Sequence, residues 1–487
     1  MKPVAPIPLS AIWAGVVGAT AIGLVLRAVF VGGQSLGYEE VFTASVVWHS
    51  SISAVWSGVK ATESTPPLYY LLTWLGVKLT ASHTALALRA VSLVAGSVTV
   101  PVSFFAVRSF VGDRLALVVA WLCAISPLLV FYSIYARSYA LLVLVATLSV
   151  WAVGALLERA SATRWALWGL TAAACLWTHY FGAFLVIAEI LLLFFKLPGE
   201  RRKLLLSVAA VAVVSAPLWP LLLSQSGASE RTSYIAAIPL ATRLEAIVRQ
   251  FAMGTNVPAA WLEGAGIALV AAATLFAALR TYRRPATQAL GALALIGAGL
   301  PIISALAGIE DYLLPRNILG AWICVAPLAA YGLTRLRSIP LLAYSAICIV
   351  TVVAVESNWR YQGSTDWRGA SALVQTRARG EPIAVMPGLQ VVVAALYLHR
   401  GQLVAPVRSA DLWVMVEPVR GAGERALNPV PDPPLTALWG PQFRPAGEID
   451  YRGFRLIHLR AASPTIVLPA PSANGPLSSP SAFVLAP

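Results

Sequence analysis

Ionisable side chains are scarce in this sequence: only 11% of its 487 residues are Asp, Glu, Lys or Arg, against 58% that are hydrophobic. Soluble domains keep about a quarter of their residues charged, so that class is excluded. Acid is scarcer than base, 21 residues against 35, which gives a formal charge of +14. The excess forms no nucleic-acid-binding stripe, because the cations sit in short clusters between apolar runs, and nucleic acid is not an expected partner. Only four cysteines occur, Cys123, Cys175, Cys324 and Cys348, each inside an apolar run and without metal-ligand spacing. They read as small buried apolar residues. A Gly-rich phosphate loop, a nucleophile elbow, a zinc spacing and a repeat between the two halves are also missing.

What is present is apolar sequence in bilayer-sized lengths. Roughly 20 apolar residues cross the hydrocarbon core as a helix. Eleven such runs emerge, at 12–31, 85–107, 115–132, 139–157, 165–179, 180–195, 204–224, 261–279, 286–307, 318–334 and 339–355. The first follows Lys2, holds Arg27 as its only charge and lacks a small-residue cleavage pattern after it, so it reads as a helix and not as a signal peptide. The fifth and sixth are one stretch broken at Thr178, His179 and Tyr180, which reads as a turn. Basic residues collect at alternate connections: Arg108 with Arg114, Arg159 with Arg164, Lys196 with Arg201, Arg202 and Lys203, Arg280 with Arg283 and Arg284, and Arg335 with Arg337. Short cytoplasmic loops are the basic ones, which predicts an N-terminus inside.

Two connections on the opposite face, 32–84 and 225–260, are long enough to carry function. Within the first, 66–79 is too short to span and rich in aromatics, as in a helix lying at the interface. The expected division is a membrane domain over 1–356, a small outer α/β domain over 357–461 and a Pro/Ser-rich tail over 462–487. In the α/β part the pattern predicts a polar helix from Asp366 through Arg379, a helix over 391–399, and strands over 383–386, 412–416 and 454–459.

Charges at membrane depth or at its edge mark function or pairing. Tyr38, Glu39 and Glu40 directly follow the first helix, with Glu63 later in the same loop. One of two adjacent carboxylates near a dry interface suits a general base, and both would equally suit a solvated loop. Arg137, in YSIYARSYALL, and Arg316, in DYLLPRNILG, stand at the outer boundary. A guanidinium there binds a phosphate bidentately or snorkels to headgroups. His179 lies in the turn WTHYFG, and Asp311 and Tyr312 stand where they would brace Arg316.

The segments SLGYEEVFT, ESTPPLYYLL, LRAVSLVAGSVTVPVSF, YSIYARSYALL, THYFGAFLV and DYLLPRNILG occur in an order that resembles the family 39-like bacterial glycosyltransferases. These are relatives of protein O-mannosyltransferases and of the aminoarabinose transferase of lipid A. The resemblance covers about 35–331 and reaches more weakly into DWRGASALV. It implies an all-α polytopic GT-C fold with a small extracytoplasmic α/β domain, in a bacterial cytoplasmic membrane. It also implies a polyprenyl-phosphate sugar donor, a lipid, glycan or protein hydroxyl as acceptor, and no nucleotide. No cofactor is firmly implied; a divalent cation and its ligands are left open.

Carried over residue by residue, the resemblance makes Glu39 the general base, Glu40 its acidic neighbour, and Arg137 and Arg316 the ligands of the donor phosphate, in a single inverting displacement. Tyr38, Glu63, Tyr69, His179, Tyr180, Asp311 and Tyr312 complete the implied pocket. The family usually has Asp where Glu39 stands, often His at Thr65 and often Glu at Tyr135. A lipid-linked sugar flippase or transporter, and a non-catalytic polyprenyl-phosphate-binding protein, are the alternative readings.

Overall fold

In lipid every backbone N–H and C=O must be satisfied within the chain, and an apolar run does this by coiling into a helix. The computed structural model describes residues 8–226, 233–308, 313–335, 338–421, 424–430, 435–470 and 482–487. By contacts the chain forms two units, Met1–Gly32 with Phe42–Val353, and Gly33–Val41 with Ala354–Pro487. The expected boundary at 356 is therefore only part of the division: the short segment that carries Tyr38, Glu39 and Glu40 groups with the C-terminal unit.

Helices account for the first unit: α1 (Leu9–Phe30), α2 (Tyr38–Val47), whose first turn belongs to the other unit, α3 (Ile52–Thr62), α4 (Leu68–Thr80), α5 (Ala85–Val111), α6 (Asp113–Ile125) and α7 (Pro127–Ser133). They continue as α8 (Tyr139–Glu158), α9 (Ala162–Thr178), α10 (Gly182–Lys196), α11 (Arg201–Ser215), α12 (Leu218–Ser226), α13 (Ser233–Ala237) and α14 (Leu240–Met253). Next come α15 (Ala260–Thr281), α16 (Pro285–Leu306), a 3-10 segment (Pro315–Ala321), α17 (Trp322–Leu333) and α18 (Ile339–Ser357). All eleven apolar runs fall on helices, with breaks at Ser126 and at 216–217 and a 3-10 opening to the tenth. Among the described residues seven helices are long and apolar enough to cross a membrane, or nine if the pairs bent by 57° and 109° each count as one. The run 165–179 gives α9, with 17 residues. Large apolar side chains such as Val17, Leu170, Phe195, Leu275 and Leu295 are exposed on the helices, a surface suited to lipid and not to water.

The predicted interfacial stretch is α4, and the predicted turn falls between α9 and α10. At the centre α5 packs against α1, α6, α7 and α8. Gly96 makes this possible, since a Cβ there would stand 1.9 Å from Ser133 Oγ.

Two buried ionisable side chains, Arg27 and Glu189, lock the bundle. Pro127 has no N–H for the carbonyl of Cys123, so the α6–α7 path breaks there, at a 57° bend. Arg27, fully buried in α1, fills the gap: its guanidinium donates to Cys123 O (3.1 Å), Ala124 O (3.0 Å), Gly23 O (2.9 Å) and Ser133 Oγ (3.0 Å). Farther along the chain, Ser149 of α8 and Trp168 of α9 both donate to Glu189 Oε2 of α10, at 2.7 and 2.9 Å. That carboxyl thereby joins three helices.

The second unit is built on a five-stranded sheet of order β3-β4-β2-β1-β5, with β1 (Ile383–Met386), β2 (Val407–Val416), β3 (Arg444–Tyr451), β4 (Phe454–Val467) and β5 (Phe483–Leu485). Strands β1 and β2 are parallel and the other pairs antiparallel. Ala384, Val414, Ile457 and Leu459 share one buried face with Trp439 and Phe443. On the other, Phe454 meets Trp367 of α19 (Trp367–Arg377), their rings edge to face at 4.9 Å. Helix α20 (Val391–Leu398) lies where a helix was expected. The sheet reaches further than predicted. Strand β4 continues to Val467 and β5 pairs with β1, so 462–487 is not all tail; backbone pairing to buried neighbours outweighs its Pro- and Ser-rich composition.

Candidate active site

In the C-terminal unit the carboxylate pair opens α2. Glu39 and Glu40 stand in its first turn, where the helix dipole favours negative charge. Glu40 is buried and reaches back to accept from the Gly37 N–H at 3.0 Å, the arrangement of a capping box. Glu39, one residue earlier, is half-buried. Adjacent in sequence, the two carboxylates have different surroundings: Glu40 fixes the turn, and Glu39 is the more accessible. Burial first, and then the Glu39 carboxylate, push the Tyr38 phenol above its ordinary range, so it stays protonated.

In the membrane unit the arginines are not isolated. Arg137, in the bend between α7 and α8, donates through Nη1 to Glu63 Oε2 at 2.8 Å, with side chains 11% and 2% exposed. The same carboxylate oxygen accepts from Tyr70 Oη at 2.7 Å, and that hydroxyl pairs with Thr65 Oγ1 at 3.0 Å. Tyr180 donates to Gln225 Oε1 at 2.7 Å, while Gln225 Nε2 donates to Thr65 O at 3.4 Å. Tyr69 pairs with Ser92, which donates to the carbonyl of Arg137 at 3.2 Å. Glu63, Tyr69, Tyr180 and Arg137, all singled out in the sequence, therefore meet in one network. Sequence reasoning passed over Tyr70, which binds Glu63 and Thr65 just ahead of its own helix, and Ser92 and Gln225, whose partners lie far away in sequence.

Arg316 enters from the 3-10 segment. Its guanidinium carbon lies 5.9 Å from the Tyr139 ring centroid, and that ring lies 6.0 Å from His179. His179 accepts the Phe181 N–H on Nδ1 at 3.3 Å. Its own pKa is lowered to about 3, first by burial and then by the charges of Arg316 and Arg137. The imidazole is neutral at physiological pH, and both arginines bear on it. Asp311 and Tyr312 lie outside the described residues. Among the described residues no group of three or more His, Cys, Asp or Glu is arranged to hold a metal ion, and no metal ligands are assigned.

The sequence model of the family described as dolichyl-phosphate-mannose-protein mannosyltransferase matches residues 64–221, the stretch that supplies Thr65, Tyr70, Arg137 and His179. The fold is similar to that of ArnT from Cupriavidus metallidurans in the apo state, with a TM-score of 0.54 at 13% identity over 92% of this chain and 98% of that one. The chain has the GT-C fold, and its residues 64–221 are similar to the mannosyltransferase family model. It is also similar to the oligosaccharyltransferase of Archaeoglobus fulgidus tethered with an acceptor peptide, with a TM-score of 0.50 at 15% identity over 76% of this chain. It spans only 57% of that longer chain. ArnT from C. metallidurans bound to undecaprenyl phosphate gives a TM-score of 0.47 at 17% identity, over 79% of the GT-C chain and 74% of ArnT. No curated protein matches the sequence.

Proposed function

We infer that this protein moves a sugar from a polyprenyl-phosphate donor to a hydroxyl acceptor at the outer face of the cytoplasmic membrane. The observation that carries this reading is the pair of guanidinium groups, Arg137 and Arg316, bearing on one buried neutral histidine among aromatic rings. A lipid phosphate is an anion that reaches such a place with its tail still in the bilayer. ArnT shares the fold and has been captured with undecaprenyl phosphate, which supports the donor class.

In the reaction the acceptor hydroxyl gives its proton to Glu39 as its oxygen attacks the anomeric carbon. The bond from that carbon to the donor phosphate breaks, and the phosphate leaves with the electron pair. Arg137 and Arg316 neutralise the charge that builds there. Attack from the side opposite the leaving group inverts the anomeric carbon. His179, being neutral, adds no third charge and serves as a hydrogen-bonding wall. Alternation of basic loops supports an N-terminus inside and the C-terminal unit outside.

The test is release of polyprenyl phosphate from a polyprenyl-phosphate sugar by purified protein in liposomes, with an added alcohol to supply the acceptor hydroxyl. Wild type is expected to turn over, and Glu39→Gln to bind donor normally while losing roughly 100-fold or more in turnover, the usual size of a general-base contribution. Full activity of Glu39→Gln would remove Glu39 as the base. Movement of intact donor between leaflets without bond cleavage would establish a flippase instead.

A further inference from the structure

The first residues of the carboxylate loop are held by groups more than 300 positions away in the chain. Gln34 Nε2 donates to Glu356 Oε2 at 2.5 Å, and its Oε1 accepts the Ser364 N–H at 3.2 Å. Ser35 Oγ donates to Asp366 Oδ1 at 3.3 Å and accepts the Arg368 N–H at 3.0 Å. Arg368 Nη2 donates to the Gln34 carbonyl at 3.3 Å. The Leu36 N–H donates to Tyr397 Oη at 2.6 Å, and the Leu36 side chain is buried. Next in sequence is Gly37, whose N–H the Glu40 carboxylate accepts. Each residue from Gln34 to Gly37 is thus tied down, directly ahead of Glu39.

The groups that hold the loop are themselves fixed. Asp366 caps α19 through the Gly369 N–H at 3.1 Å, and its Oδ2 accepts from Tyr451 Oη at 2.9 Å and Arg452 Nη1 at 2.8 Å. Tyr451 and Arg452 sit at the β3–β4 hairpin, where Arg452 and Gly453 have φ of +48° and +84° as a tight two-residue turn requires. Trp367 donates to Glu417 at 3.1 Å, and a Cβ on Gly369 would strike Tyr451 Oη at 2.0 Å. The four residues of DWRG, where the family resemblance weakens, each have a place in this holding structure.

We propose that the C-terminal α/β unit is a clasp that sets the position of the Glu39–Glu40 turn, with Tyr397, Asp366 and Arg368 as positioning residues. The inference rests on the reading of Glu39 as the base. Positioning errors of about 1 Å can change turnover by a factor of 100, whereas ground-state binding of the donor need not respond. The three residues bind Gln34, Ser35 and Leu36, so their removal acts on the geometry of the turn that follows.

Tyr397→Phe removes one hydroxyl and leaves the ring in place. It is expected to lower kcat by roughly tenfold or more at unchanged donor KM, and to speed amide hydrogen exchange in the peptide covering 33–41. Asp366→Asn, which keeps a side-chain carbonyl for the cap, is expected to do the same. Glu39→Asp, which shortens the carboxylate, should lose less than its usual share of activity when combined with Tyr397→Phe, because a loosened turn can follow the shorter side chain. Exchange at 33–41 unchanged in both single variants would overturn the clasp. Faster exchange with unchanged kcat would overturn its positioning role. If wild type releases no polyprenyl phosphate, the functional reading fails and the positioning role fails with it, while hydrogen exchange still decides whether the unit holds the loop.

Discussion

Arg27 and Arg137 are both buried arginines of the membrane unit, yet they are satisfied in opposite ways. Arg27 spends its donors on three backbone carbonyls and one serine, all within helices that it splices across a proline break. Arg137 is paired with a carboxylate whose second contact is a tyrosine, keeps a little exposure, and shares with Arg316 an influence on one histidine. A charge wrapped in carbonyls mends a fold. One paired with a carboxylate that also binds a phenol is held by side chains instead, and burial alone does not separate the two.

The contrast is open to direct attack, beginning with Arg27. Arg27→Ala leaves the carbonyls of Cys123 and Ala124 without the donor that meets them, at about 1 to 3 kcal/mol each, and adds a cavity. The expected loss is about 3 to 6 kcal/mol in chemical denaturation in detergent, with unchanged donor affinity in whatever fraction folds. A fully stable Arg27→Ala protein with weakened donor binding would reverse the assignment.

Arg316→Ala should show the complementary pattern. Its thermal unfolding should match wild type, and donor affinity should fall by about 1.5 to 3 kcal/mol, the size of a lost charge-assisted hydrogen bond. Lys should restore only part of this, because an ammonium lacks the fork. Titration with a polyprenyl-phosphate analogue measures it, and unchanged affinity would return Arg316 to snorkelling.

The smallest effect concerns His179 and appears only in acid. Its folded pKa of about 3 lies below the ordinary 6.5. Between those values the unfolded chain binds a proton that the folded chain does not, so stability rises with pH from about 3 to 6.5 and is level above. Denaturation at pH 4.5 and at pH 7.5 should therefore differ less in His179→Gln than in wild type. An equal difference in both would mean that burial, with the charges of Arg316 and Arg137, does not hold this ring neutral.

How much of this could be read in the sequence follows from the same contrast. In a chain with so few charges each one stands out, which is why Glu39, Glu40, Arg137, His179 and Arg316 are conspicuous from their positions alone. Their partners are not. Glu63 is visible as an acid, but nothing local says that it meets Arg137, because pairing between helices has no period along the chain. Gln225 and Tyr70 look like ordinary loop and interface residues. In the C-terminal unit, β3 escapes notice because RPAGEIDY is exposed along nearly its whole length and lacks the alternation of a half-buried strand. Strand β5 is only three residues long. The attachment of Gln34 to Leu36 is out of reach for the same reason as the ion pair: its partners lie at the far end of the chain.

That separation bears on how the protein is made. Ser35 leaves the ribosome early and Asp366 emerges 331 residues later. A nascent chain stopped after α18 already holds the helices from α1 to α18 and both glutamates, but none of the serine, aspartate, arginine and tyrosine groups that hold the loop. On this ordering, the helices of the membrane unit are made before the groups that hold the Gln34–Gly37 segment in place.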